Sequence, residues 1–179
     1  MVIGGWKLST IRWRFCWTAR AVPITPSSQP SPFTDSDFQE FVGSFKACTS
    51  GVRTSVFKTL INSWSCTHRY HETTVWPCIF GCNDGKDELK HYLTCSPMWT
   101  LAVSAASLPT CFLSLSPIDR LCLFTNSVSG MKLMGVVFRG YHALKFGHRE
   151  VIERCIASQD CAELNSIFIK ICRDVWRNI

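Results

Sequence analysis

Four side chains of the kind that bind metals lie close together between Cys78 and Cys95. Three residues separate Cys78 from Cys82, three separate His91 from Cys95, and eight lie between the two pairs. Thiolates and an imidazole in this combination are the ligands of closed, tetrahedral zinc sites that stabilise a fold. The segment therefore predicts a structural zinc site rather than a catalytic centre.

The local sequence indicates how these ligands would meet. Gly81 lies between the first two cysteines and gives the backbone the freedom that a tight turn needs. Asp84 can cap a helix over residues 86–94. On that helix His91 and Cys95 are four residues apart and share one face. A turn that donates two sulfurs and a helix that donates nitrogen and sulfur would together form a tetrahedral cage.

Other interpretations of these residues stay open. The cysteines of the segment could be buried thiols beside a surface His91, or two of them could form a disulfide. Cys66, His68 or His71 could replace one of the ligand pairs. Their spacing, however, does not place them together on one face of a helix.

The rest of the chain shows helical spacing of apolar residues and few hairpin signals. We predict a mainly α fold, a small helical domain with a zinc knuckle (Cys-Cys-His-Cys) inserted at 76–97 and little or no sheet. Pro97 would end the helix of the knuckle. The other predicted helices cover residues 36–48, 52–64, 98–108, 116–124, 131–156 and 162–177.

A length of 179 residues suits one modest hydrophobic core. Residues 1–34 form a basic, aromatic N-terminal segment followed by a linker rich in proline and serine, which cannot build a core. Residues 35–179 are then the helical domain. The role of residues 1–34 does not follow from their composition.

The net charge of +6 is concentrated on both sides of the Cys/His segment. A basic surplus there favours a polyanionic partner, because phosphate attracts lysine and arginine without any further specificity. We therefore expect RNA or DNA as a partner, with a protein partner as a second option. The sequence contains no Gly-rich phosphate loop, catalytic triad or carboxylate dyad. We therefore predict neither an enzyme nor a small-molecule substrate.

Eleven cysteines would suggest disulfides in a small secreted protein, but their number is odd and no signal peptide is evident. We expect reduced thiols and an intracellular protein, nuclear or cytoplasmic. The run from Tyr92 to Ile118 carries no charge, yet three prolines and several serines interrupt it. We therefore expect no membrane-spanning segment.

The string NSWSCTHRYHETTVWPCIFGCNDGKDELKHYLTCSPMW resembles a known protein region. It is similar to the zinc-binding region that follows the polymerase domain in reverse transcriptases of LINE-type (non-LTR) retrotransposons. The resemblance covers roughly residues 50–100. It rests on the four Cys/His residues together with Trp64, Arg69 and Trp99.

This resemblance implies that Cys78, Cys82, His91 and Cys95 bind zinc and that the module contacts template RNA or target DNA. The paired catalytic aspartates of a reverse transcriptase are absent, since no Asp-Asp pair occurs in the chain. The sequence therefore predicts a non-catalytic fragment that lacks the polymerase. The alternative is a helical protein-interaction module in which zinc is only structural.

Zinc knuckles bind single strands by stacking bases on aromatic rings and by placing basic side chains against phosphates. We predict Trp76 and Tyr92 as stacking residues, whereas Phe80 and Trp99 are expected in the core around the metal. The predicted phosphate contacts are Lys58, Arg69, Lys86 and Lys90.

Overall fold

A computed structural model of the protein describes residues 35–69, 73–83, 85–121 and 127–179. The segment and linker predicted for residues 1–34 lie outside these ranges. Within them the regular structure is helical, and the pairing of extended backbone is limited to an isolated antiparallel bridge between Pro77 and Lys86. The prediction of a mainly α domain with little or no sheet is confirmed.

The helices are named in chain order, and the longest connection between two of them, from residue 61 to residue 88, carries Cys78 and Cys82. They are α1 (Asp35–Ala47), α2 (Ser50–Leu60), α3 (Leu89–Tyr92), α4 (Ser96–Ala105), a 3-10 turn (Thr110–Ser114), α5 (Pro117–Arg120), α6 (Val128–Gly147), α7 (Arg149–Ser158) and α8 (Ala162–Arg177). The bounds of α1, α4 and α8 agree with the predicted helices to within a few residues.

Two helix starts have the side-chain caps that fix their positions. Thr49 accepts a hydrogen bond from the backbone N–H of Val52 at the start of α2, and Ser127 accepts one from Gly130 at the start of α6. The single long helix predicted over residues 131–156 is wrong, because His148 leaves helical geometry with φ −135° and ψ 36°. The chain forms α6 and α7 instead.

Helix α6 lies at the centre of the domain and packs against α1, α2, α4, α7 and α8. Its buried face includes Met131, Leu133, Met134, Val136, Val137, Tyr141 and Leu144. The Cys/His segment joins this core, since Ile79, Phe80 and Leu93 are also buried. Each such side chain contributes about 1.5–3 kcal/mol to folding, so the Cys/His segment is part of the fold rather than an appendage.

The uncharged run after Tyr92 forms α4 and the 3-10 turn. Helix α4 spans ten residues and buries Met98, Trp99 and Ala102 against the domain. In the described ranges of the chain, no helix combines the length and the apolarity needed to cross a bilayer.

Candidate metal centre

The first two ligands lie on a tight backbone turn. Gly81 has φ +82°, a left-handed conformation that side-chain-bearing residues rarely adopt, and its N–H donates to the carbonyl of Cys78. The N–H of Cys78 donates to the carbonyl of Gly85 at 2.7 Å, which closes the turn from the other side. The N–H of Phe80 points at the Cys78 sulfur at 3.4 Å. This turn presents Cys78 and Cys82 to the same space.

The second pair reaches that space by a different route from the one predicted. The helix predicted over 86–94 is wrong, because only Leu89–Tyr92 is helical and Glu88 is extended, with φ −144° and ψ 149°. Cys95 is also extended and immediately precedes α4. Pro97 lies in the first turn of α4 and does not end a helix, in keeping with the tolerance of helix starts for proline.

The four ligand atoms nevertheless converge. Among the described residues, Cys78, Cys82, His91 and Cys95 form a group whose ligand atoms all lie within 4.8 Å of one another. The Cys95 sulfur is 3.7 Å from that of Cys78 and 3.6 Å from that of Cys82. A tetrahedron with Zn–S bonds of about 2.3 Å has edges of about 3.8 Å, so these sulfurs have the spacing of metal ligands.

The imidazole of His91 also fits a metal ligand. Its Nε2 atom is buried and has no hydrogen-bond partner among the described residues. The ring lies directly against Gly85, where a Cβ atom would overlap the Cε1 and Nε2 atoms of the imidazole. A buried nitrogen without a partner is costly unless something supplies one, and a metal ion held by the three sulfurs would do so.

The thiols of the cluster already share protons unequally. The hydrogen bond from Cys95 lowers the pKa of Cys78 to about 4, and His91 assists. Burial, and then the nearby Cys78 thiolate, raises the pKa of Cys82. The hydrogen bond that Cys95 donates to Cys78, together with burial, raises the pKa of Cys95. Metal binding would displace the remaining thiol protons, because thiolates are the ligands.

A buried polar network connects the Cys/His segment to the core of the domain. The Asp87 carboxylate is completely buried and accepts hydrogen bonds from the Thr67 N–H at 2.7 Å, from the hydroxyls of Tyr92 and Tyr141 at 2.7 Å each, and from Lys145 at 2.6 Å. No local sequence pattern indicates this network. Its partners are remote in sequence, and by local pattern Asp87 is only an acidic residue within the helix predicted over 86–94.

The alternative ligands do not join the cluster. Cys66 is buried beside Asp87, and burial, followed by that carboxylate, raises the pKa of its thiol to about 12. His68 is exposed and lies 4.0 Å from Glu88. His71 lies outside the described residues.

The expectation of reduced thiols is wrong for one pair. Cys155 and Cys161 form a disulfide that joins the end of α7 to the residue before α8. The Cys161 sulfur lies 3.5 Å from the position that a Cβ on Gly81 would occupy. The disulfide therefore packs against the turn that carries the first two ligands.

The predicted nucleic-acid contacts differ in their exposure. Lys58, Arg69, Lys86 and Lys90 are all exposed. Tyr92 is completely buried and its hydroxyl is bound to Asp87, so the prediction that it stacks on a base is wrong.

Trp76 is half-buried, and two cationic side chains lie over its ring. The Lys145 ammonium lies 4.0 Å and the Arg149 guanidinium 5.1 Å from the ring centre. A base would have to compete with these cations for the ring. Phe80 and Trp99 are buried, as predicted.

Sequence reasoning also missed a row of rings on α6. Phe138, His142 and Phe146 recur every four residues, and each ring contacts the next. The i, i+4 spacing was the available signal. The sequence predicts only that these residues lie on one helix, and the structure shows that Phe146 is 75% exposed.

The close contact between Gly85 and the His91 ring makes a specific prediction. Gly85→Ala should weaken zinc binding measurably, because its Cβ would displace the imidazole from the three sulfurs. Gly43→Ala is the matched control, since nothing lies within 4 Å of its Cβ position on α1. The control should keep wild-type zinc affinity and gain about 0.4–1 kcal/mol of stability. Competition with a chromophoric chelator measures the affinities, and equal values for Gly85→Ala and wild type would contradict the steric argument.

Comparison with known proteins identifies no relative: no family model, no curated protein and no solved structure matches the chain.

Proposed function

We propose that this chain is a zinc-stabilised, non-catalytic module that binds single-stranded nucleic acid, RNA or DNA. The convergence of Cys78, Cys82, His91 and Cys95 carries the proposal. We further propose that the module derives from the region following the polymerase in a LINE-type reverse transcriptase. That origin rests on the sequence resemblance alone.

The chemistry of the donor set favours zinc over other metals. Soft thiolates with an imidazole in a tetrahedral arrangement suit Zn2+, whereas magnesium and calcium prefer oxygen ligands. Four protein ligands leave no open position for water or substrate, which is the arrangement of structural sites. Zinc would therefore hold the turn of Cys78 and Cys82 to the segment of His91 and Cys95.

Exposed basic side chains support nucleic acid as the partner. Lys58 and Arg69 lie near His142, since both contribute to lowering the pKa of that residue. Lys86 and Lys90 are exposed within the zinc segment itself. Such groups attract phosphates without reading sequence, so binding should be weak and largely independent of sequence.

The alternative function is a helical protein-interaction module. One observation favours it: Phe57 and Ile61, at the end of α2, are 44% and 42% exposed. Two apolar side chains four residues apart are a small surface for a stable protein interface. We therefore keep nucleic acid as the first proposal.

Salt-dependent binding tests the proposed function. If three or four phosphates are neutralised, the slope of log affinity against log salt should be roughly −2 to −3 on single strands. Replacing Lys58, Arg69, Lys86 and Lys90 together with glutamine should move the slope toward zero. Lys170→Gln with Arg173→Gln, two exposed changes on α8, is the control and should leave the slope unchanged. Absence of binding at low salt by the zinc-loaded protein would favour the protein-interaction alternative.

A further inference from the structure

The row of rings on α6 runs from the core to the surface. Phe138 is buried, and its ring centre lies 4.2 Å from that of His142. The His142 ring lies 5.9 Å from the ring of Phe146 with an angle of 25° between the planes, a stacked arrangement. The outermost ring, Phe146, is 75% exposed. The row thus ends in an aromatic ring at the surface that is stacked on the ring below it.

The middle ring is fixed by contacts on both sides. The His142 Nδ1 atom lies 3.2 Å from the hydroxyl of Ser65, which orients the imidazole. Burial, followed by the charges of Lys58 and Arg69, lowers the pKa of His142 to about 4. At neutral pH the imidazole is therefore uncharged, and it supports Phe146 as a neutral aromatic surface.

The charges beside the row are basic. The Lys58 ammonium lies 5.9 Å from the centre of the Phe138 ring, and Lys58 and Arg69 are both exposed. The acidic groups closest in sequence, Glu150 and Glu153, belong to α7, and Glu153 pairs with Arg149 at 2.9 Å. Lys58 lies at the Phe138 end of the row, and Phe146 lies two helical turns further along α6, roughly 12 Å away. A single strand that places a base on Phe146 and its neighbouring phosphates against the basic side chains would complement this arrangement.

We propose that Phe146, supported by His142, stacks on an unpaired base of a single-stranded polynucleotide whose phosphates lie against Lys58 and Arg69. This inference rests on the proposed function and adds the surface at which the strand is bound. It also predicts a preference for single strands, because the bases of a duplex are stacked on one another and expose no face to Phe146.

The test compares two labelled single strands of about 12 nucleotides, one with bases and one abasic. Stacking on an aromatic side chain contributes about 1–3 kcal/mol per base, so Phe146→Ala should weaken binding of the base-bearing strand about 5- to 150-fold. The abasic strand binds only through its phosphates and should be unaffected. Phe146→Trp should keep or increase affinity for the base-bearing strand, whereas Phe146→Leu should lose it although it keeps an apolar side chain.

Zinc content and thermal unfolding should be unchanged in all three variants, because the Phe146 side chain is largely in solvent. Wild-type affinity of Phe146→Ala for the base-bearing strand would overturn this inference and leave the proposed function intact. Wild-type affinity of Phe146→Leu would show a generic apolar contact and would also overturn it. Failure of the wild-type protein to bind either strand would overturn the proposed function as well.

Discussion

Replacing Cys95 with serine is expected to abolish stoichiometric zinc binding. The Cys95 sulfur lies beside the sulfurs of both Cys78 and Cys82, so its loss removes the ligand that is next to both of them. A serine hydroxyl is a poor substitute because thiolate donation supplies much of the affinity. The metal content of purified protein should fall from about one zinc per chain to almost none.

A matched variant separates loss of a ligand from loss of any thiol. Cys111 is a free, exposed cysteine outside the cluster, and Cys111→Ser should keep its zinc. Cys82→Ser should lose zinc as Cys95→Ser does, because Cys82 belongs to the same group. Full zinc retention in both ligand variants would show that the four residues are not the ligands.

Loss of the metal should also unfold the segment over residues 76–97. Structural zinc contributes on the order of 10–16 kcal/mol in small zinc modules, and this short segment has little regular structure of its own. Amide-exchange protection should therefore fall there after chelation. The Phe80 ring contacts Phe168 of α8 at 4.8 Å between centres, so protection around Phe168 should weaken as well. The contact between α2 and α6 should keep its protection.

The ligand group could be predicted from the sequence because its members are close in the chain and chemically distinctive. The predicted geometry of this group is only partly correct. Cys78 and Cys82 do lie on a turn with Gly81 in a left-handed conformation, but His91 and Cys95 do not share one helix. The backbone around Glu88 is extended because the neighbouring Asp87 is drawn into the core.

Asp87 shows why the buried polar network could not be predicted from the sequence. Asp87 falls in the first turn of the helix predicted over 86–94, where a negative charge is favourable in any helix. Its partners Thr67, Tyr141 and Lys145 are 20, 54 and 58 residues away, so local patterns carry no trace of the network. The break between α6 and α7 at His148 could not be predicted either, because the helical spacing of apolar residues continues through the point where α6 ends.

Removing the Asp87 carboxylate is expected to be the most destabilising change outside the metal ligands. Asp87→Asn would leave the Lys145 ammonium buried without its counter-charge, and the two would no longer form an ion pair. Breaking a buried pair in this way costs about 3–5 kcal/mol. Urea unfolding measures the loss. Glu88→Ala is the control, because Glu88 is only half-buried and lies 4.0 Å from His68, and it should change stability by less than about 1 kcal/mol.

A second variant tests the cause of that loss. Adding Lys145→Met to Asp87→Asn removes the uncompensated charge, so the double variant should recover part of the stability. If the double variant is less stable than Asp87→Asn alone, the unpaired ammonium is not the source of the cost.

The same network predicts how acid affects the protein. Burial alone would raise the pKa of Asp87, but hydrogen bonds from Lys145, the Thr67 N–H, Tyr141 and Tyr92 outweigh it and lower the pKa. A carboxylate with a lowered pKa stabilises the fold above its unfolded value of about 3.9, and that contribution disappears as the pH falls through the folded value. Wild type should therefore lose stability in this acidic range, and Asp87→Asn should lack that component of the loss.

Acid would also protonate the four candidate metal ligands, which would destabilise wild type and Asp87→Asn alike. The difference between the two unfolding free energies cancels this shared effect and isolates Asp87. That difference should be largest near neutral pH and should shrink as the pH falls below about 4, since a protonated Asp87 no longer offsets the charge of Lys145. A difference that stays constant from neutral pH down through this range would show that the Asp87 carboxylate does not change its ionisation there. The buried pair would then not be the origin of the acid sensitivity.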